Sequence, residues 1–155
     1  MRRITRKTIV AGVALAALAT AVGAQQNFEP KQNRECSDGT IQGAYGIQIS
    51  GTRPAPNGQM ESVVGVVVRE YDGFGRFTQV GNVKGSITGF APNQPGFGTY
   101  QVNGNCSATT SLFPGNGIQI VEEFVIVDDG NEIRSIASSP PPLMVSGIHK
   151  RIDSH

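Results

Sequence analysis

MESVVGVVVREYDGFGRF, residues 60–77, decides the fold. Val63, Val64, Val66, Val67 and Val68 are β-branched residues that suit a pleated surface, so Met60 to Tyr71 reads as one long strand. Asp72-Gly73 between two apolar runs marks a tight hairpin, and Gly75 suits a positive-φ bulge position. Phe77 to Ile87 then runs back as the next strand, with Phe77, Val83 and Ile87 on one parity; Gly81 and Gly85 share it and mark bends or close packing.

The same grammar extends in both directions. Upstream, Ile41 to Ile49 alternates cleanly, with Ile41, Tyr45, Ile47 and Ile49 on one face and Gln42, Ala44, Gly46 and Gln48 on the other. Residues 51–58 form a loop. Downstream, Ala91 to Gly98 is a further loop, and Tyr100 and Val102 mark a short fourth strand turned by Asn103-Gly104. Cys106–Phe113, Ile118–Val127, Glu132–Ser138 and Leu143–Arg151 complete the series, separated by Pro114–Gly117, Asp128–Asn131 and Ser139–Pro142. No stretch after residue 24 combines helical periodicity with a cap. About eight short strands joined by hairpin-length turns predict an all-β domain, a single antiparallel up-and-down barrel, with a β-sandwich as the alternative. The barrel is preferred because closure removes exposed sheet edges.

The chain divides into three parts. Residues 1–24 carry a basic head with Arg2, Arg3, Arg6 and Lys7. An uncharged Ala-rich run from Thr8 to Val22 follows, then small residues up to Ala24. That layout predicts a signal peptide, because the run falls short of the roughly 18–20 residues of a membrane-spanning helix. Residues 25–39 are a polar, flexible lead-in, and 40–152 are the barrel domain. Export to the periplasm or the outside follows, with no membrane insertion once the leader is cleaved. Removing its four basic residues leaves nine against twelve acidic ones, a net charge of −3. Scattered basic residues on a mildly acidic domain give no footprint for nucleic acid. Cys36 and Cys106 are the two cysteines. In an exported chain they predict a disulfide closing a loop of about 70 residues. A metal site on the same pair would have only His149 and His155 as further imidazoles, so no metal is expected.

Gly43-Ala44-Tyr45 and Gly98-Thr99-Tyr100 share a Gly-x-Tyr pattern. With Tyr71–Gly75 and Asp129–Ile133, they resemble a largely uncharacterised group of small exported bacterial proteins. The resemblance spans about residues 36–151 and implies a calycin-like or allene-oxide-cyclase-like β-barrel. It implies a ring-closing activity at the level of fold alone, because no catalytic motif here matches that of the cyclases. Lipocalins fit less well, since their first strand carries Gly-x-Trp and this chain has no Trp.

No nucleophile elbow accompanies His149, and Gly73-x-Gly75 lies in a turn, where it presents no helix N-terminus to a phosphate; no cofactor is expected. The carboxylates are more informative. Glu122 and Glu123 are adjacent on a strand and therefore face opposite ways. The parity of Ile118, Ile120, Phe124 and Ile126 points Glu122 inward, although Val121, Val125 and Val127 make the other face nearly as apolar. An interior carboxylate needs a raised pKa or a partner, for which Arg69, Arg134 and Tyr45 are candidates. His149 shares parity with Val145 and Gly147 and can also face inward. Tyr45, Tyr71 and Tyr100 either rim a pocket or finish the core. The candidate ligand-binding set is Tyr45, Arg69, Tyr100, Glu122, Phe124, Arg134 and His149. Inward glycines at positions 43, 81 and 85 would leave room for a ligand.

The expected function is non-enzymatic binding of a small apolar or amphipathic ligand inside the barrel. The alternatives are a cofactor-free isomerase or cyclase using Glu122, and a surface structural or protein-binding module using the loops at 51–58 and 91–98. Ligand identity and oligomeric state are not encoded in any motif.

Overall fold

The computed structural model describes residues 35–115 and 117–152. The expected signal peptide, most of the lead-in, Asn116 and His155 lie outside the described residues. A 3-10 turn at Asp38–Ile41 is followed by β1 (Gly43–Pro54), β2 (Met60–Tyr71), β3 (Arg76–Gly85), β4 (Gly89–Val102), β5 (Ser107–Phe113), β6 (Ile120–Val127), β7 (Glu132–Ser139) and β8 (Met144–Arg151). Each strand pairs antiparallel with the next, and β8 pairs with β1, so the sheet closes as an up-and-down barrel. Among the described residues no helix is long and apolar enough to cross a membrane.

The 60–77 stretch folds as its composition demands. Val63, Val67 and Tyr71 are buried, while Val64, Val66 and Val68 lie on the exposed outer face. Asp72 Oδ1 accepts hydrogen bonds from the Phe74 and Arg76 N–H groups at 2.7 and 2.9 Å. Gly73 and Gly75 take φ of 82° and 93°, the left-handed region that excludes most side chains.

Several boundaries depart from expectation for identifiable reasons. Ile41 is not in the first strand. Thr40 Oγ1 accepts from the Ser37 N–H and the Thr40 N–H donates to the Ser37 carbonyl, which winds residues 38–41 into a turn that buries Ile41 completely. The loop expected at 91–98 is strand, part of β4. Pro92 is tolerated because the β3–β4 register slips between Gly81 and Val83, where Asn93 (φ 51°) forms a bulge and donates its N–H to Asn82 Oδ1. Ile87, Ile118 and Leu143 fall outside the strands assigned to them.

One end of the barrel is plugged. Cys36 and Cys106 form a disulfide with Cα atoms 5.0 Å apart, anchoring the 38–41 turn across that end. Asp38 fastens it further, its Oδ1 accepting from the Val102 N–H at 2.8 Å and its carbonyl accepting from the Tyr100 hydroxyl. Behind the plug, Tyr71 packs edge-on against Tyr45 and Tyr100, with ring centroids 5.5 and 5.0 Å away. Phe77, Phe124, Ile126 and Ile133 complete this core.

Candidate functional site

The other half of the barrel is hollow. A cavity of about 660 Å³ opens at the end carrying the β1–β2, β3–β4, β5–β6 and β7–β8 connections. Its walls are mostly apolar: Val63, Val67 and Val83 from β2 and β3, Ile120 from β6 and Val145 from β8, with Pro140–Pro142 near the mouth. Its size falls within the roughly 300–1,000 Å³ typical of small-molecule sites.

The floor is polar. Period-two alternation on β2 puts Arg69 on the same inward face as Val63, Val67 and Tyr71, and on β6 it puts Glu122 with Phe124 and Ile126. Arg69 Nη1 meets Glu122 Oε2 at 2.7 Å, its Nε donates to Gln79 Oε1 at 2.8 Å, and its guanidinium lies 4.3 Å over the Phe77 ring. Thr110 Oγ1 donates to the same Glu122 Oε2 at 3.0 Å. Burial alone would raise the Glu122 pKa, but the charge and hydrogen bond of Arg69 outweigh it and hold the carboxyl below its usual range. For Arg69, burial opposes the charge and Glu122 more than restores it, so both partners are ionised.

Below this layer the network continues away from the cavity. Tyr71 hydroxyl sits between Arg69 Nη1 (3.3 Å) and His149 Nδ1 (3.5 Å), and His149 Nε2 lies 3.0 Å from Ser135 Oγ. Burial, then the nearby Arg69 charge, pushes His149 down to about 3, so its imidazole is neutral at ordinary pH. A Ser–His contact therefore exists. The third group is a phenol rather than a carboxylate, and neither residue is among those lining the cavity.

The candidate set is thus divided by the barrel. Arg69 and Glu122 line the cavity together. His149 joins their network from beneath the floor. Tyr45, Tyr100 and Phe124 belong to the plugged core and do not line the cavity. Burial pushes the Tyr45 phenol up to about 12, and its hydroxyl donates to the Gly130 carbonyl. Arg134 is corrected outright as a partner for Glu122. It occupies the outward parity of β7, where its Nε pairs with Glu132. Of the three inward glycines, Gly81 lines the cavity while Gly43 and Gly85 do not, and a Cβ on Gly43 would lie 3.0 Å from Arg151 Nη1. A Cβ on Gly81 would lie 2.7 Å from Val67 Cγ2, and one on Gly85 would lie 2.2 Å from Glu61 Oε2, so neighbours already fill both positions.

Gln79, Thr110 and Ser135 escaped the sequence reading. Gln79 and Thr110 are each the lone polar residue on an otherwise apolar inward parity, beside Phe77 and Leu112, and Ser135 follows Ile133 on the inward parity of β7; that is the signal that would have found them. Glu61 was also missed. It is buried at the mouth, where it accepts from the Ile87 and Thr88 N–H groups at 2.9 Å and from Arg53 Nε at 2.8 Å. These bonds, the Thr88 N–H foremost, bring its pKa down to about 2 and fasten the β3–β4 turn to the rim. Comparison with protein-family models, curated proteins and solved structures finds no match to this chain.

Proposed function

We propose that this chain is a calycin-like binder that holds a small apolar or amphipathic molecule in the open half of its barrel and performs no chemistry on it. The observation that carries this reading is the apolar-walled cavity of about 660 Å³ in a barrel whose opposite half is packed with large side chains. An eight-strand barrel can be filled entirely by its own residues, so retained space of this size calls for an occupant. The polar floor would orient an amphipathic guest with its tail toward the mouth. The basic-then-apolar leader and the Cys36–Cys106 disulfide support an exported protein. N-terminal sequencing of the exported chain tests that part, with cleavage after Ala24 expected.

Titration with the neutral fluorophore N-phenyl-1-naphthylamine tests binding. Saturable fluorescence enhancement, abolished when Val83 is replaced by Phe, supports the reading; its absence ends it. One observation favours the cyclase-like alternative. Glu122 is an ionised carboxylate that lines the cavity and can act as a base. Turnover of a bound substrate by the wild type, lost in Glu122→Gln with binding retained, would establish that alternative instead.

A further inference from the structure

Both hydrogen bonds to Glu122 fall on Oε2, from Arg69 Nη1 and Thr110 Oγ1. Among the described residues no buried side-chain nitrogen or oxygen lacks a partner, so Oε1 is accessible, and the accessible space beside Glu122 is the cavity. Arg69 commits Nε to Gln79 and Nη1 to Glu122 and Tyr71, which leaves Nη2 in the same position. Gln79 accepts with its oxygen and has its Nε2 donor to spare. The floor therefore offers one acceptor flanked by donors.

The charged residues lining the cavity are Arg53, Glu61, Arg69 and Glu122, and they form two ion pairs, each internally compensated. A carboxylate guest would gain Arg69 only by approaching Glu122. An ammonium guest would gain Glu122 only by approaching Arg69. Either would surrender its hydration for a site with no net countercharge. A group that is neutral and both gives and takes a hydrogen bond meets no such penalty.

We propose that the cavity selects an uncharged amphiphile with a terminal hydroxyl, which donates to Glu122 Oε1 and accepts from Arg69 or Gln79, its hydrocarbon tail lying against Val63, Val83 and Ile120. This deepens the binding reading and rests on it. The test is displacement of N-phenyl-1-naphthylamine from the full chain at pH 7 by four ten-carbon probes: 1-decanol, decyl methyl ether, decanoate and decylammonium. Decanol should displace the dye at a concentration about tenfold lower than either ion, a difference of about 1.4 kcal/mol. It should also outperform the ether, which cannot donate. Decanoate or decylammonium matching decanol overturns the proposal, as does an ether equal to the alcohol. In Glu122→Gln, confirmed as folded by its melting profile, decanoate should gain about tenfold on decanol because Arg69 loses its countercharge; an unchanged ratio overturns it too. If the dye and all four probes fail to bind, the binding reading falls and this inference falls with it. If they bind in the wrong order, only this inference falls.

Discussion

The two halves of this barrel are built from the same strands but put different side chains inside. In the plugged half, β1, β2 and β4 each contribute a tyrosine, and β3 and β6 a phenylalanine, with Ile41 as stopper and a disulfide beneath. In the open half, the same strands offer Val63, Val67 and Val83, with alanines and prolines at the rim. Aromatic side chains fill one half, and aliphatic ones line the chamber in the other. The Arg69–Glu122 layer marks the boundary: each charge compensates the other, and Gln79, Tyr71 and Thr110 hold the pair from the barrel side. Stability belongs to one half and binding to the other, so damage to each should register in different measurements.

The largest expected effect lies on the packed side. Tyr71→Ala should cost about 3–5 kcal/mol by urea denaturation, since it empties the centre of three ring contacts and strips a partner from His149. Val145→Ala, on the chamber wall, should cost about 1 kcal/mol or less, since its neighbour there is space. Equal losses would abolish the distinction. Next comes the staple. Replacing Cys36 and Cys106 by Ser releases a loop of 70 residues, which the chain-entropy treatment values at about 4 kcal/mol as an upper figure. The melting temperature should fall while the dye affinity of the folded fraction stays the same.

Much of this division was legible in the sequence. Alternation in 41–49 showed which residues face inward, the β-branched run in 60–71 marked a long strand, and Asp72-Gly73 with Gly75 marked the sharpest turn. Parity also placed Glu122 on the inner face, although Val121, Val125 and Val127 offered nearly as apolar a competitor; closure of the barrel resolves the ambiguity. What could not be read was height along the barrel axis. Tyr45, Tyr100 and Phe124 face inward as alternation implies, yet they lie below the floor. That level is set by strand register and by the bulge at Asn93, which depend on long-range pairing. For the same reason Gly81 and Gly85 suggested space, when register brings Val67 and Glu61 onto them. Arg134 failed on parity itself: it alternates with Ile133 and Ser135, and the inward face belongs to those two.

The buried His149 offers a pH-dependent test of the layer beneath the floor. Its pKa falls from 6.5 to about 3 on folding, so the unfolded chain takes up a proton that the native state refuses. Stability should be level above pH 6.5 and fall progressively as the pH drops toward 3, with the lowered Glu122 adding to the loss below about pH 4.5. His149→Gln should flatten the upper part of that slope, between pH 6.5 and 4.5, in denaturation midpoints measured across the range. A smaller effect is expected from Arg134→Ala on the outer wall. The Arg134 side chain is exposed and Lys150 also pairs with the buried Glu132, so the change should stay within about 1 kcal/mol and leave dye binding untouched.

The most direct test is a two-dimensional NMR titration of the full chain with 1-decanol. Saturable shifts should gather at the amides of Val63, Val83, Ile120 and Glu122, with Ile41, Tyr45 and Ile133 behind the floor unmoved. Shifts confined to the outer face around Val64, Val66 and Val68, or a spectrum unaltered at every ligand concentration, would contradict the account.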